Sequence, residues 1–346
     1  MSGTQKHALS HAVAAPRANP AARAFALMAF TLLAFALVVA ARLRAQDAEP
    51  KSSPAALQTY ADAANYQNAG EFALAIEEWS KFLEKFPQDP LAAKAQQYLG
   101  VCYTQLDPPK HGEAAAAFAA VAEKYPKFEL LEDTFLNLGW SNYSLAQGTE
   151  DEAKKAAFYA AAVKAFSQLV EKFPEGKQAD DALYWWGASL YWQGKREEAI
   201  VPYGRLVKEF PESPLRADGV YILGVTNEEL ENYAAAGEAY DLFLKEFAEN
   251  TLATEVQMRK AETVLQAALA SRAKGEDASA LLADAEKKFG AVAAIPEFPS
   301  ANHAQFRQAY CASLQDKFAE AGALYAAVAG AKDTPYAVPS RIAAGR

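Results

Sequence analysis

Sulfur and imidazole are scarce in this 346-residue chain, which has two cysteines, four histidines and three methionines. His7 and His11 lie in the N-terminal tail and His111 and His303 in or near expected loops, none at ligand spacing from a Cys, Asp or Glu. That excludes the common zinc patterns, and we expect neither metal nor cofactor. The chain also lacks a glycine-rich phosphate loop, a nucleophile elbow and a zinc-protease signature, so an enzyme is not expected. Residues 1–46 contain no acid at all, only Lys6, Arg17, Arg23, Arg42 and Arg44 as charges.

Between those basic residues runs the one long apolar segment, Ala24 to Ala41, where only Thr31 is polar. As a helix it spans roughly 27 Å, close to the hydrocarbon thickness of a bilayer. It reads as a signal sequence or a transmembrane anchor, and either one exports the rest of the chain to the periplasm or cell envelope. Val39-Ala40-Ala41 and Leu43-Arg44-Ala45 are both passable cleavage sites, so removal and retention both stay open. The basic tail is then 1–23, the apolar segment 24–41 and the linker 42–56.

Past the linker the charge reverses. Removing the five basic residues of the tail from 34 leaves 29 against 43 acids, about −14 from Asp47 onward. Such a surface repels phosphate backbones, which excludes nucleic acid and favours basic or neutral partners.

What the chain does have is a repeat. An aromatic-Pro pair closes successive helical stretches at Phe86-Pro87, Tyr125-Pro126, Phe173-Pro174 and Phe210-Pro211, with a degenerate copy at Phe247-Ala248. Each mark comes after a small residue and, four positions later, an aromatic: Ala75/Trp79, Ala114/Phe118, Ala162/Phe166, Ala199/Tyr203 and Ala236/Tyr240. Residues at i and i+4 share one helix face, and a proline stops the helix before it, so each unit ends in a helix B of about three turns. Upstream lies a helix A with a small central residue: Ala63, Gly100, Gly139, Gly187, Gly224, Ala261 and Ala309. Glycine inside a helix costs about 1 kcal/mol against alanine, which implies close approach of a neighbouring helix there. Units 6 and 7 carry Ala278, Leu282 and Phe289-Gly290, then Ala321 and Tyr325.

This pattern resembles the tetratricopeptide repeat over about Leu57 to Lys332. The fold it implies is all-α, an α-solenoid coiled as a right-handed superhelix of about seven helix-turn-helix units over 57–335, preceded by an N-terminal hydrophobic helix. Residues 336–346 read as an incomplete eighth repeat or a tail. From each helix B alanine to the next helix A small residue the distance is 25 in the first five junctions, while the turn within a unit varies from 12 to 23. Stacking is therefore held constant and insertions such as 148–157 fall in hairpin loops. The long spacing resembles bacterial envelope proteins, among them the lipoprotein of the outer-membrane β-barrel assembly machine and the periplasmic coordinator of the Tol-Pal system. No cysteine precedes Cys102, so the lipid attachment of that lipoprotein has no acceptor here. Cys102 and Cys311 stand at the same repeat position five units apart, too far for a disulfide, and read as packed thiols.

The resemblance also implies where a partner binds, because helix A lines the concave wall in this family. Carried over, unit 3 presents Asp133, Leu136, Trp140, Tyr143 and Ser144; unit 4 presents Asp181, Tyr184, Ala188, Tyr191 and Trp192. Unit 5 presents Asp218, Tyr221, Val225, Glu228 and Glu229. Aromatic groups bury large area at small entropy cost, so an aromatic wall with acidic edges favours a protein or peptide segment that is basic or apolar. Two other readings stay open: the rings fill gaps between helices, or they stack on a glycan such as peptidoglycan. Of the Lys, Arg and Asn residues that clamp a C-terminal carboxylate in chaperone-binding members, only Lys94 has a counterpart.

Overall fold

The computed structural model describes residues 51–331 and 334–344, all helix, turn or irregular chain, with no strand among them. Seven hairpins succeed one another. They are α1 (Pro54–Asn68) with α2 (Phe72–Lys85), α3 (Ala92–Thr104) with α4 (His111–Lys124), and α5 (Leu131–Gln147) with α6 (Glu152–Lys172). Then come α7 (Ala179–Trp192) with α8 (Arg196–Glu209), α9 (Arg216–Glu229) with α10 (Tyr233–Glu246), α11 (Ala253–Ala273) with α12 (Ser279–Ala293), and α13 (Ala301–Leu314) with α14 (Phe318–Gly330). A short α15 (Ala337–Ala344) packs on α14. Every helix packs on the one before it and the one after it, so chain order is stacking order.

The core is built where the repeat put it. Each second helix buries positions i, i+4 and i+7, as in Ala75/Trp79/Phe82, Ala162/Phe166/Leu169 and Ala236/Tyr240/Phe243. The glycines of the first helices receive those rings. A Cβ on Gly100 would lie 2.7 Å from the Phe118 ring and one on Gly187 2.7 Å from Tyr203, with Gly139 against Phe166 and Gly224 against Tyr240 closer still. The neighbour that repays the glycine is thus the aromatic residue of the same hairpin. In the first five hairpins the second helix stops at its aromatic mark, which leaves the helical region: Phe86 has φ −130° and Tyr125 −127°. Phe247 adopts φ −127° without a following proline, so the stop survives in the degenerate copy.

Three helix boundaries and the place of one residue differ from the sequence reading. Ser53 Oγ accepts from Ala56 N at 3.1 Å with proline at the first helical position, so the first helix starts at Pro54, inside the expected linker. Residues 152–157, expected in a loop, extend α6, because Asp151 Oδ1 caps the helix by accepting from Ala153 N at 3.0 Å and Lys154 N at 3.1 Å. In unit 6 the helix runs through Phe289-Gly290 to Ala293, since Gly290 keeps its N–H and no proline intervenes before Pro296. His303 lies within α13, half-buried with its ring stacked at 4.7 Å on Tyr336, and not in a loop. The tail 1–23, the apolar segment 24–41 and most of the linker lie outside the described residues. No described helix is long and apolar enough to cross a membrane.

Candidate functional site: an aromatic wall on successive first helices

The middle of the stack brings aromatic residues of α5 and α7 into one cluster. Trp140 and Trp185 meet with centroids 4.1 Å apart, and Tyr143 stands edge-on to both, at 5.8 Å and 5.2 Å. Tyr184 reaches Trp185 at 5.0 Å, and Leu136 packs half-buried against the same core cluster as these rings. Tyr143 and Tyr184 also touch rings of their own second helices, Tyr159 at 5.7 Å and Tyr203 at 5.9 Å. Burial raises the phenol pKa of Tyr143, and burial followed by the Asp218 charge raises that of Tyr184. Both rings are therefore neutral at physiological pH, half in the core and half on the wall.

Five expected wall residues, Asp133, Tyr191, Tyr221, Glu228 and Glu229, are instead tied into the junctions between units. Asp133 Oδ1 accepts from Gln178 Nε2 at 2.6 Å, while neighbouring Glu132 accepts from the Gln178 backbone N–H at 2.8 Å, together anchoring the start of α7. Tyr191 donates its hydroxyl to Glu229 Oε1 at 2.6 Å under the Arg196 guanidinium, which lies 4.3 Å over the ring and donates to Glu229 Oε2 at 2.9 Å. Burial opposes the Glu229 charge, but these two hydrogen bonds hold its carboxyl below the ordinary value. Tyr221 accepts from Arg259 Nε at 3.1 Å, and Arg259 also pairs with Glu228 at 3.5 Å.

Three others remain available. Trp192, 58% exposed, stands perpendicular to Tyr191 at 5.7 Å. Asp181 is half-buried and Asp218 exposed, and neither is in an ion pair with a described residue. Burial, then the adjacent Asp180, raises the Asp181 carboxyl above its ordinary value.

The sequence reading missed Trp185, which sits at the centre of the cluster. The signal was present: Asp181, Trp185, Ala188 and Trp192 fall at i, i+4, i+7 and i+11, one face of α7. It also missed Arg196 and Arg259, which reach the acids Glu229 and Glu228 about one repeat away; Arg259 has a local partner as well, Glu255 one turn before it at 3.2 Å. Elsewhere, both cysteines are buried; burial pushes the Cys102 thiol up to about 11 and the Cys311 thiol to about 12, which leaves them protonated and weakly nucleophilic. Among the described residues no three His, Cys, Asp or Glu side chains converge as a metal group.

Residues 60–127 and 181–213 match models of the tetratricopeptide repeat, which supports that family for the stack described above. No curated protein matches the chain. Among solved structures it is similar to a tetratricopeptide repeat protein from Parabacteroides merdae, at 12% identity over 84% of this chain and 99% of that one, TM-score 0.44. It is also similar to the C-terminal part of a repeat-containing protein from Cytophaga hutchinsonii, at 15% identity over 80% and 97%, TM-score 0.49. A third likeness is to YrrB, described as a repeat protein with an unusual peptide-binding site, at 22% identity over 57% and 88%, TM-score 0.43. Repeats of this family generally mediate protein–protein interaction.

Proposed function

We propose that this chain is a non-catalytic scaffold of the cell envelope, holding a basic and apolar protein segment against the wall formed by α5, α7 and α9. The observation that carries this reading is the pairing of exposed Trp192 and the indole–phenol cluster with Asp181 and Asp218, two acids without an ionic partner among the described residues. A lysine or arginine between those acids supplies the missing charge, while the rings bury the apolar part. Export rests on the apolar segment 24–41 with its basic flanks, which acts as signal or anchor. The likeness of the long repeat spacing to that of bacterial envelope proteins supports work in outer-membrane or envelope assembly or in cell division.

A photo-crosslinking residue at position 192, used in the native envelope, tests this. Protein adducts lost in Asp181→Asn/Asp218→Asn, with the helical signal unchanged, are expected. Retention only on purified cell wall, with no protein adduct, overturns the reading in favour of a glycan. N-terminal sequencing of the mature protein decides whether 24–41 is kept.

A further inference from the structure

The residue six before the small central one of each first helix forms a row along the edge of the wall. From unit 2 onward it is Lys94, Asp133, Asp181, Asp218, Glu255 and His303, so the row is acidic over four consecutive units. Its outer acids are engaged from within, Asp133 by Gln178 at 2.6 Å and Glu255 by Arg259 at 3.2 Å. Asp181 and Asp218 between them are in no ion pair with a described residue, which leaves two carboxylates, one per unit.

The stacking sets their interval. Neighbouring first helices touch side chain to side chain, through Trp140 on Trp185, Tyr191 on Glu229 and Tyr221 on Arg259, so their axes lie about 8–10 Å apart. A partner that crosses α7 and α9 must present its cations at the same interval. A β-strand does not, because side chains on one of its faces repeat at about 7 Å. An α-helix does so with residues seven apart, at about 10 Å. Polyproline II does so with every third residue, at about 9 Å.

The polar atoms of the aromatic wall separate those two. Trp79 in unit 1 donates its indole N–H to Gln67 Oε1 at 2.9 Å, whereas no described residue accepts from half-buried Trp140 or Trp185. An α-helix binds its own carbonyls and has few to give. The carbonyls of polyproline II make no internal hydrogen bond, and its rings pack on aromatic faces.

We propose, building on the reading of this wall as a protein-binding face, that the partner segment is a polyproline II helix with a basic residue at every third position. Its three edges take different parts. Lys or Arg on one edge meets Asp181 and Asp218, proline on the next lies on the α5–α7 rings with neighbouring carbonyls accepting from the indole N–H groups, and the third faces solvent. The engagement of Asp133 and Glu255 confines the charged register to two basic residues.

Three synthetic peptides of equal charge test this on the folded chain: a Lys-Pro-Ala repeat, a proline-free peptide with lysine at every second position, and an amphipathic α-helix with lysines seven apart. The repeat should bind about tenfold or more tightly than either of the others. In NMR it should give saturable shifts of the Trp140 and Trp185 indole protons. Asp181→Asn/Asp218→Asn, which keeps the side-chain shape, should remove the preference. Asp218→Lys, at an exposed position, should lose the repeat and recover a copy of it with one lysine replaced by glutamate. Equal or tighter binding of the helical or alternating peptide, no shift at either indole, or a preference that survives the double Asn variant would each overturn the proposal. Protein adducts from position 192 that persist in those cases preserve the reading on which it is built, so the two fail separately.

Discussion

Two junctions between first helices use the same positions for opposite chemistry. Between units 3 and 4, Trp140 one residue after its central glycine meets Trp185 two residues before the next, with centroids 4.1 Å apart. Between units 6 and 7 the corresponding residues are Glu262 and Arg307, joined by a two-pronged ion pair with Arg307 Nε donating to Glu262 Oε2 at 2.8 Å. Stacking asks only that facing side chains complement each other, and both solutions meet it. They leave different surfaces behind. The ion pair occupies its carboxylate, so that end of the wall is satisfied by itself. The indole pair needs no polar partner to stack, and the neighbouring Asp181 has no ion pair with a described residue.

Breaking each junction in turn sharpens the contrast. Trp185→Ala removes the ring at the centre of the cluster and should destabilise the fold by about 2–4 kcal/mol, the range for large-to-small changes at a site only partly closed to water. In a stack whose units couple to their neighbours, hydrogen exchange should rise first in α5 and α7. Added salt should leave that loss unchanged. A loss below about 0.5 kcal/mol would mean that the rings lie on the wall without holding it.

Glu262→Ala should have a smaller effect, about 1–2 kcal/mol, because it strands a mostly covered guanidinium that can still turn toward solvent. Exchange should rise in α11 and α13. Here salt matters: the wild-type junction weakens as ionic strength rises, and the variant does not. Exchanging the charges as Glu262→Arg/Arg307→Glu should restore part of the loss, and no recovery would assign the cost to packing of the long side chains.

These two junctions also show how far the sequence could be read. Helix pairs and their order were legible because each rests on residues within one turn or one hairpin, such as Ala75 with Trp79 and Gly139 with Phe166. The start of α6 was misplaced because a single side chain decides it, the Asp151 cap on an alanine- and lysine-rich stretch that reads equally well as loop. On the wall, the carry-over from the family resemblance named Trp140, Tyr143 and Tyr184, which all pack partly buried against one core cluster. It could not separate them from Asp133, Tyr191 and Tyr221, whose partners Gln178, Glu229 and Arg259 arrive from the next unit. Which side chains a repeat protein spends on itself depends on contacts about 37 residues apart, beyond any local period.

The smallest expected effect is a titration that separates the free acid from the engaged one. Glu229 has a carboxyl held below its ordinary 4.5, so its contribution to the α7–α9 junction is present above 4.5 and lost as pH falls through the lower folded value. Asp181 goes the other way: burial and Asp180 raise it above 3.8, so the folded chain takes up its proton earlier on acidification and is relatively favoured by it. Protonation of Asp181 therefore removes a charge from the wall without cost to the fold, whereas protonation of Glu229 weakens the α7–α9 junction. Capture of a basic, apolar peptide should weaken several-fold over the window in which Asp181 takes up its proton, and that step should add nothing to exchange in α7 and α9. Asp181→Asn should bind weakly throughout and show no such step. Carboxyl NMR of the two side chains places the window directly. Capture that held constant until the α7–α9 junction itself opened would assign the attraction to Asp218 and the overall negative field, leaving Asp181 no part in recognition.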